Sequence, residues 1–400
     1  MSSRPALPDR KDAEPTAIEP VEPLFTRSFV LMLCNQFCFG LAYSTFYLIP
    51  KYLTQRMHAS PNELGMATAA ALIPGVLSVP LIGRGIDRIG RKPFIVWGAL
   101  FHALGGLAFL SVHSVSPLLF AARALQGIAY AAVFTSISTL AVDLAPIARV
   151  GQAIGLCGAA GMAANALAPA AAEIIAEHAG WRTAFLLSVL CSLGAATLGL
   201  RLQERRREPA AVREASSPEL GRPLPLIFYA GAVVGAGFGV MFTYTQPFAL
   251  GLGAERVSAF FIGYTVAALS MRIFLGTLAD RMGHERVAFA TIGMYGFVLL
   301  LTSLLRADML FELGVAFGLV HGLMYPALNA LALEGTPPDK RGLVMSYFSG
   351  AFNGGNGVWL LAMGALARVQ GYPLVFVVSG LLVWTALPAL LHVRLRARES

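Results

Sequence analysis

Twelve apolar runs, each about 20 residues long, constrain this chain more than any other feature of its sequence. They fall near residues 28–50, 62–82, 94–112, 117–143, 151–175, 182–202, 224–249, 257–278, 288–305, 309–333, 343–366 and 373–393. A helix rises about 1.5 Å per residue, so a run of this length matches a hydrocarbon core of roughly 30 Å. In lipid every backbone N–H and C=O must be satisfied without water. The alternating pattern of a barrel is missing, which leaves helices as the only open choice. Composition agrees: 56% of the residues are hydrophobic and 13% are charged, more apolar surface than a soluble core can hide.

The charges sort by side. With both termini on the cytoplasmic side, the inner ends collect Arg4, Arg10, Lys11, Arg27, Arg84, Arg88, Arg91, Lys92, Arg149, a cluster from Arg201 to Arg222, Arg281, Arg286, Lys340, Arg341 and the tail arginines. The outer ends receive only Lys51, Arg56, Arg182, Arg256, Arg306 and Arg368, and Arg123 and Arg272 lie within spans. This is the positive-inside pattern, so the net charge of +8 is explained by topology and calls for no nucleic-acid partner. The lipid bilayer is the expected surrounding, and the inner (plasma) membrane the expected location. Cys34, Cys38, Cys157 and Cys191 all fall inside spans, where disulfides, a metal site or a cofactor are not expected.

Residues 1–27 are Pro-rich and mixed in charge, and read as a disordered cytoplasmic tail. Residues 203–223, "QERRREPAAVREASSPELGRP", are charged and Pro/Ser-rich and divide the spans six and six, as a linker would. The two halves, 28–202 and 224–395, echo one another. "GRGIDRIGRKP" after the second span aligns with "GTLADRMGHER" after the eighth, pairing Gly83, Asp87, Arg88 and Gly90 with Gly276, Asp280, Arg281 and Gly283 at one offset. "APIARVG" and "PPDKRG" repeat two spans later. The expectation is an all-α membrane protein of twelve transmembrane helices in two pseudo-symmetric six-helix bundles.

These residues resemble the major facilitator superfamily (MFS) of secondary transporters. Its loop signature G-x-x-x-D-R-x-G-R-K is matched by Gly83, Asp87, Arg88, Gly90, Arg91 and Lys92, and "RALQGIAYAA" at 123–132 is similar to its fourth-helix pattern R-x-x-Q-G. The resemblance implies a gating motif of Gly83, Asp87, Arg88, Gly90 and Arg91, echoed by Asp280 and Arg281, that latches the inner side. Glycine is expected at Gly83 and Gly90 because the chain turns sharply there. The resemblance also implies that Arg123, with Gln126 beside it, tunes proton release from a neighbouring carboxylate. An arginine within a span costs about 2.5 kcal/mol or more on insertion scales, so it should face a cavity or partner.

Deep acidic residues are scarce. Glu173, on the fifth span beside the fourth, is the first choice for the proton carrier, with Arg123 as its neighbour, and His321 in the tenth span is the alternative. Polar and aromatic residues on the first, fourth, seventh, tenth and eleventh spans are expected to line a midplane substrate site: Asn35, Tyr43, Phe46, Tyr130, Tyr244, Gln246, Tyr325, Asn329, Asn353 and Asn356. The fifth span keeps Gly155, Gly158, Gly161 and Pro169 of the family's exporter signature. A monomeric proton-coupled exporter of a small organic compound, a drug or a sugar-like metabolite, accounts for these features. A metabolite importer has the same fold and stays open as an alternative. A membrane enzyme or sensor is the different-class rival, but neither H-E-x-x-H nor a nucleotide-binding G-x-x-x-x-G-K-[ST] loop occurs.

Overall fold

Ser60 shows how this sequence starts a helix inside a short loop. Its hydroxyl accepts from the Glu63 amide at 3.4 Å while the Glu63 carboxylate accepts from the Ser60 amide at 2.7 Å, and Pro61 takes the first helical position. The helix ends at Gly90, whose φ of 92° lies in the left-handed region that glycine adopts without steric cost. Gly283, its partner in the sequence repeat, has a φ of 91°. The two halves therefore turn in the same way at corresponding positions.

The computed structural model describes residues 23–146, 149–204, 224–275, 278–337 and 340–399, with the backbone alone for residues 279, 280 and 394–399. Most of the expected tail and linker, Gly276, and the side chain of Asp280 lie outside the described residues. The elements are α1 (Arg27–Thr45), α2 (Ile49–Met57), α3 (Pro61–Ile89), α4 (Arg91–Ala108), α5 (Pro117–Leu144), α6 (Val150–Ala179) and α7 (Trp181–Arg201). The second half contributes α8 (Leu224–Gly251), α9 (Ser258–Leu275), α10 (Leu278–Met282), α11 (His284–Thr302), α12 (Leu310–Leu333), α13 (Arg341–Gln370), α14 (Tyr372–Trp384) and α15 (Ala386–Glu399). No strand occurs among the described residues.

The packing repeats from half to half. In the first, α3 lies on α5, α4 on α5 and α7, and α1 on α6; in the second, α9 lies on α12, α11 on α12 and α14, and α8 on α13. The halves meet through the related pairs α3–α13 and α6–α9. Among the described residues, eleven helical segments are long and apolar enough to cross a membrane. The remaining expected span, the eleventh (343–366), lies within α13, which is long enough but carries Ser346, Ser349, Asn353 and Asn356. Its place between α8 and α3 explains this polarity, since the helix faces protein as well as lipid.

Two expectations are corrected. Gly83 is not at a turn: it lies within α3, with open space around it, and Gly90 alone reverses the chain. The first span does not stop near residue 50. A short 3-10 segment at Phe46–Leu48 leads into α2, and Lys51 is buried at 3% exposure instead of lying in an outer loop.

Close helix approach rests on a few glycines. A Cβ added at Gly127 of α5 would overlap the Ala71 carbonyl of α3, and one at Gly235 of α8 would overlap that of Phe352 on α13. Gly151 has nothing within 4 Å. Gly127→Leu is expected to destabilise the protein by at least about 1–3 kcal/mol, while Gly151→Ala leaves it unchanged or slightly firmer. Thermal unfolding followed by size-exclusion chromatography in detergent checks both.

Candidate functional site

At the end opposite the arginine-rich loops, a buried ion pair within the first half ties the halves together through its hydrogen bonds to the start of the second half's α9. The Lys51 ammonium of α2 lies 2.5 Å from a Glu173 oxygen on α6, and Glu173 is fully buried. Glu173 also accepts from the amides of Val257 at 2.8 Å and Ser258 at 2.7 Å, so it sits on the N-terminus of α9, where the helix dipole favours a negative charge. Lys51 donates in turn to the Glu255 carbonyl at 3.0 Å. Around this centre, Arg256 pairs with Glu177 at 2.8 Å, and the Gln246 amide of α8 donates to the Tyr47 carbonyl at 2.7 Å. Lys51, Tyr47, Glu173 and Glu177 belong to one half, and Gln246, Glu255, Arg256 and the start of α9 to the other.

Below the latch an aromatic lining runs from one half to the other. Tyr130 stacks on Tyr43 at 4.1 Å, Tyr43 meets Tyr47 at 5.8 Å, and Tyr47 packs on Phe242 of the second half at 5.4 Å. Phe242 stacks on Phe238 at 4.2 Å, Phe238 contacts His321 at 4.9 Å, and His321 stacks on Tyr325 at 5.8 Å. Tyr43, Tyr47, Tyr130, Phe238 and Tyr325 are only half-buried. His321 bonds through Nδ1 to the Tyr264 hydroxyl at 3.0 Å and leaves Nε2 without a partner.

Arg123 is buried at 5% exposure, and its partners are neutral: the Ala67 carbonyl at 3.2 Å and the Gln126 side chain at 2.8 Å. The Phe46 ring lies 6.0 Å beneath its guanidinium. The expected Arg123–Glu173 neighbourhood is corrected on this point, because the cation that Glu173 holds is Lys51. Gln126 does stand beside Arg123 as expected.

At the arginine-rich end the gating motif is not latched. Asp87 and Arg88 are exposed in the last turn of α3 and form no hydrogen bond or ion pair with any described residue. Arg91 serves its own half, pairing with Asp143 at 2.9 Å and with Glu204 at 3.4 Å. Glu204 caps α4 by accepting from the Arg91 and Lys92 amides. Arg281 is exposed.

A profile described as Major Facilitator Superfamily matches residues 32–305 and 249–400, which together span nearly the whole chain. The chain belongs to the major facilitator superfamily. It is a membrane transporter and not an enzyme, in keeping with the relatives it matches. It is 26% identical over 329 residues to "Multidrug resistance protein 2" of Bacillus subtilis, covering 76% of this chain and 79% of that protein. It is 26% identical over 336 residues to "Multi-drug resistance efflux pump PmrA" of Streptococcus pneumoniae, covering 80% and 83%. The fold overlays the crystal structure of the nucleoside transporter NupG with a TM-score of 0.74 and 13% identity, covering 92% of this chain and 99% of that one.

Within this MFS frame the predicted substrate residues divide. Tyr43, Tyr130, Tyr325, Asn329 and Asn353 stay half-buried. Asn35 is instead used in packing, donating to the Ala195 carbonyl, and Tyr244 donates to the Leu360 carbonyl. Gln246 belongs to the latch, and Asn356 is buried against Gly239. Sequence reasoning missed Lys51, which looked like one more loop cation. It also missed His102, fully buried with Nδ1 2.9 Å from the Ser192 hydroxyl and rings of Phe39 and Phe46 around it.

Removing one member of a buried pair strands the other charge, at a cost of about 3–5 kcal/mol. Lys51→Met is therefore expected to lower stability strongly, and adding Glu173→Gln to recover part of the loss. Thermal unfolding of the four proteins in a double-mutant cycle reads the coupling; single effects that add within about 0.5 kcal/mol would mean that the two residues act independently.

Proposed function

We propose that this chain is a proton-coupled antiporter of the inner membrane, with both termini cytoplasmic, that exports a small organic compound by alternating access. The observation that carries this reading is the asymmetry between the two ends. The end opposite the arginine-rich loops is closed by a buried polar latch between halves, while Asp87 of the gating motif is exposed and unpaired at the other. A positive-inside distribution supports assigning the arginine-rich end to the cytoplasm, which makes this an inward-facing arrangement. Two relatives are named as multidrug resistance or efflux proteins, which supports export.

Glu173 is the proton-handling carboxylate in this reading. Ionised, it holds Lys51 and the amides of Val257 and Ser258; protonated, it keeps no charge to hold them, so the outer end loosens. Proton arrival and departure thus bias which end is open. His321 is the second titratable group, on the aromatic lining, and Arg123 with Gln126 sets the positive potential of the first half. The half-buried rings of Tyr43, Tyr130, Phe238 and Tyr325 favour a drug or sugar-like metabolite with a flat apolar face. Asp87 closes the cytoplasmic end in the opposite state.

Proteoliposomes carrying an internal pH dye test this directly, with dyes, antibiotics, sugars and organic acids added in turn. A substrate-dependent proton flux is expected in the wild type, and Glu173→Gln and Arg123→Ala are expected to lower it by at least about tenfold, close to 1.4 kcal/mol. Asp87→Asn should slow turnover while the protein still reaches the membrane. Substrate movement with no proton flux would overturn the coupling.

A further inference from the structure

A second pocket opens at the outer end of the first half, away from the aromatic lining. It holds about 360 Å³ between the end of α2, the chain after α4 and the α6–α7 junction. Its floor is aromatic: Tyr52 meets Trp181 at 5.2 Å and Phe185 at 5.0 Å, and Phe109 lies 5.3 Å from Phe185. Its rim is cationic, with Arg56 and Arg182 joined by His113, and no carboxylate lines it. Both guanidiniums lie within electrostatic reach of the Tyr52 hydroxyl.

Of the other cations of this end, Arg368 lies exposed on α13 in the other half, and the remaining three are occupied. Lys51 and Arg256 serve the latch, and Arg306 pairs with Asp308. Arg56 forms no ion pair or hydrogen bond with a described residue, and Arg182 donates only to the Leu110 carbonyl at 3.4 Å. Glu177, two residues before the pocket-lining Ala179, is engaged by Arg256. Two exposed arginines at the membrane end that is poorest in them, sharing one pocket with no acid, leave an unmatched positive charge.

The helix face beneath the rim says what kind of anion fits. Arg182, Leu186, Leu190 and Leu193 fall at i, i+4, i+8 and i+11 on α7, one face of the helix, and all four are exposed. Leu104 and Leu107 of α4, which packs on α7, are exposed as well. A guanidinium therefore heads an apolar track that runs down into the hydrocarbon. A small soluble anion would use the rim and leave the track bare; a phospholipid uses both.

We propose that this pocket binds the headgroup of an anionic phospholipid from the outer leaflet, its phosphate between Arg56 and Arg182 and its acyl chains along the leucine face of α7. The site braces the elements that carry the latch, since Arg56 shares α2 with Lys51 and Ala179 shares α6 with Glu173.

The test uses the full-length protein in nanodiscs of phosphatidylcholine with or without phosphatidylglycerol, read by native mass spectrometry for retained lipid and by thermal unfolding. Each arginine near an anionic headgroup gives about a fivefold preference, so the wild type should retain phosphatidylglycerol at least that strongly and melt at a higher temperature with it. Arg56→Gln with Arg182→Gln should retain both lipids equally while melting like the wild type in phosphatidylcholine alone; if that variant is unstable, Arg182→Lys keeps the charge and should keep the preference. An undiminished preference in the double variant would overturn the proposal. So would an equal stabilisation of detergent-solubilised protein by inorganic phosphate, which would mark a pocket for a free anion.

Discussion

The burial of a charge without water is the constraint on which this structure turns. Glu173 is fully covered, and Lys51 and two amides at the start of α9 surround its carboxylate and offset the cost of burying it. The contributors come from both halves, so the same charge compensation that makes the pair tolerable also fastens the two bundles at one end. A latch built this way has two discrete arrangements and no comfortable intermediate, because drawing the start of α9 away takes from the buried carboxylate the amides that compensate it in low dielectric.

Deeper between the halves the lining is aromatic, and rings can slide past one another at small cost compared with ion pairs. Within each half, helices approach so closely at Gly127 and Gly235 that a single methyl would collide with backbone, and across the halves α3 approaches α13 as closely at Gly65. Rigid bundles with a polar fastening at one end and an exposed, unpaired Asp87 at the other are the physical ingredients of a rocking transporter.

Much of this architecture was legible in the sequence because hydrophobic length, loop charge and a repeated motif report directly on membrane physics. Gly90 and Gly283 could be paired by their spacing and share the same left-handed backbone. The candidate site was less legible. Lys51 lies one residue past an apolar run, and nothing local distinguishes a loop lysine from one folded inward by a 3-10 turn. Glu173 could be singled out by its depth, but its partner comes from a helix far away in sequence, and spacing alone favoured Arg123. His102 has no motif around it, and only its contacts with Ser192 and Phe39 show that it is buried. Polar residues such as Asn35 and Tyr244 looked available to substrate because a sequence does not show which backbone carbonyl a side chain will meet.

The central claim is that an ionised Glu173 holds the outer end shut. The most direct measurement is a double electron–electron resonance distance between spin labels on the two halves, one at His113→Cys and one at Arg306→Cys, with the four native cysteines replaced. A second pair at Arg84→Cys and Arg341→Cys reports on the arginine-rich end. At neutral pH the wild-type background should give a single short distance at the outer pair. Glu173→Gln should move population to a longer outer distance and a shorter one at the other end. An outer distance that stays short in Glu173→Gln would contradict the account, since the halves would then be held by something other than this charge.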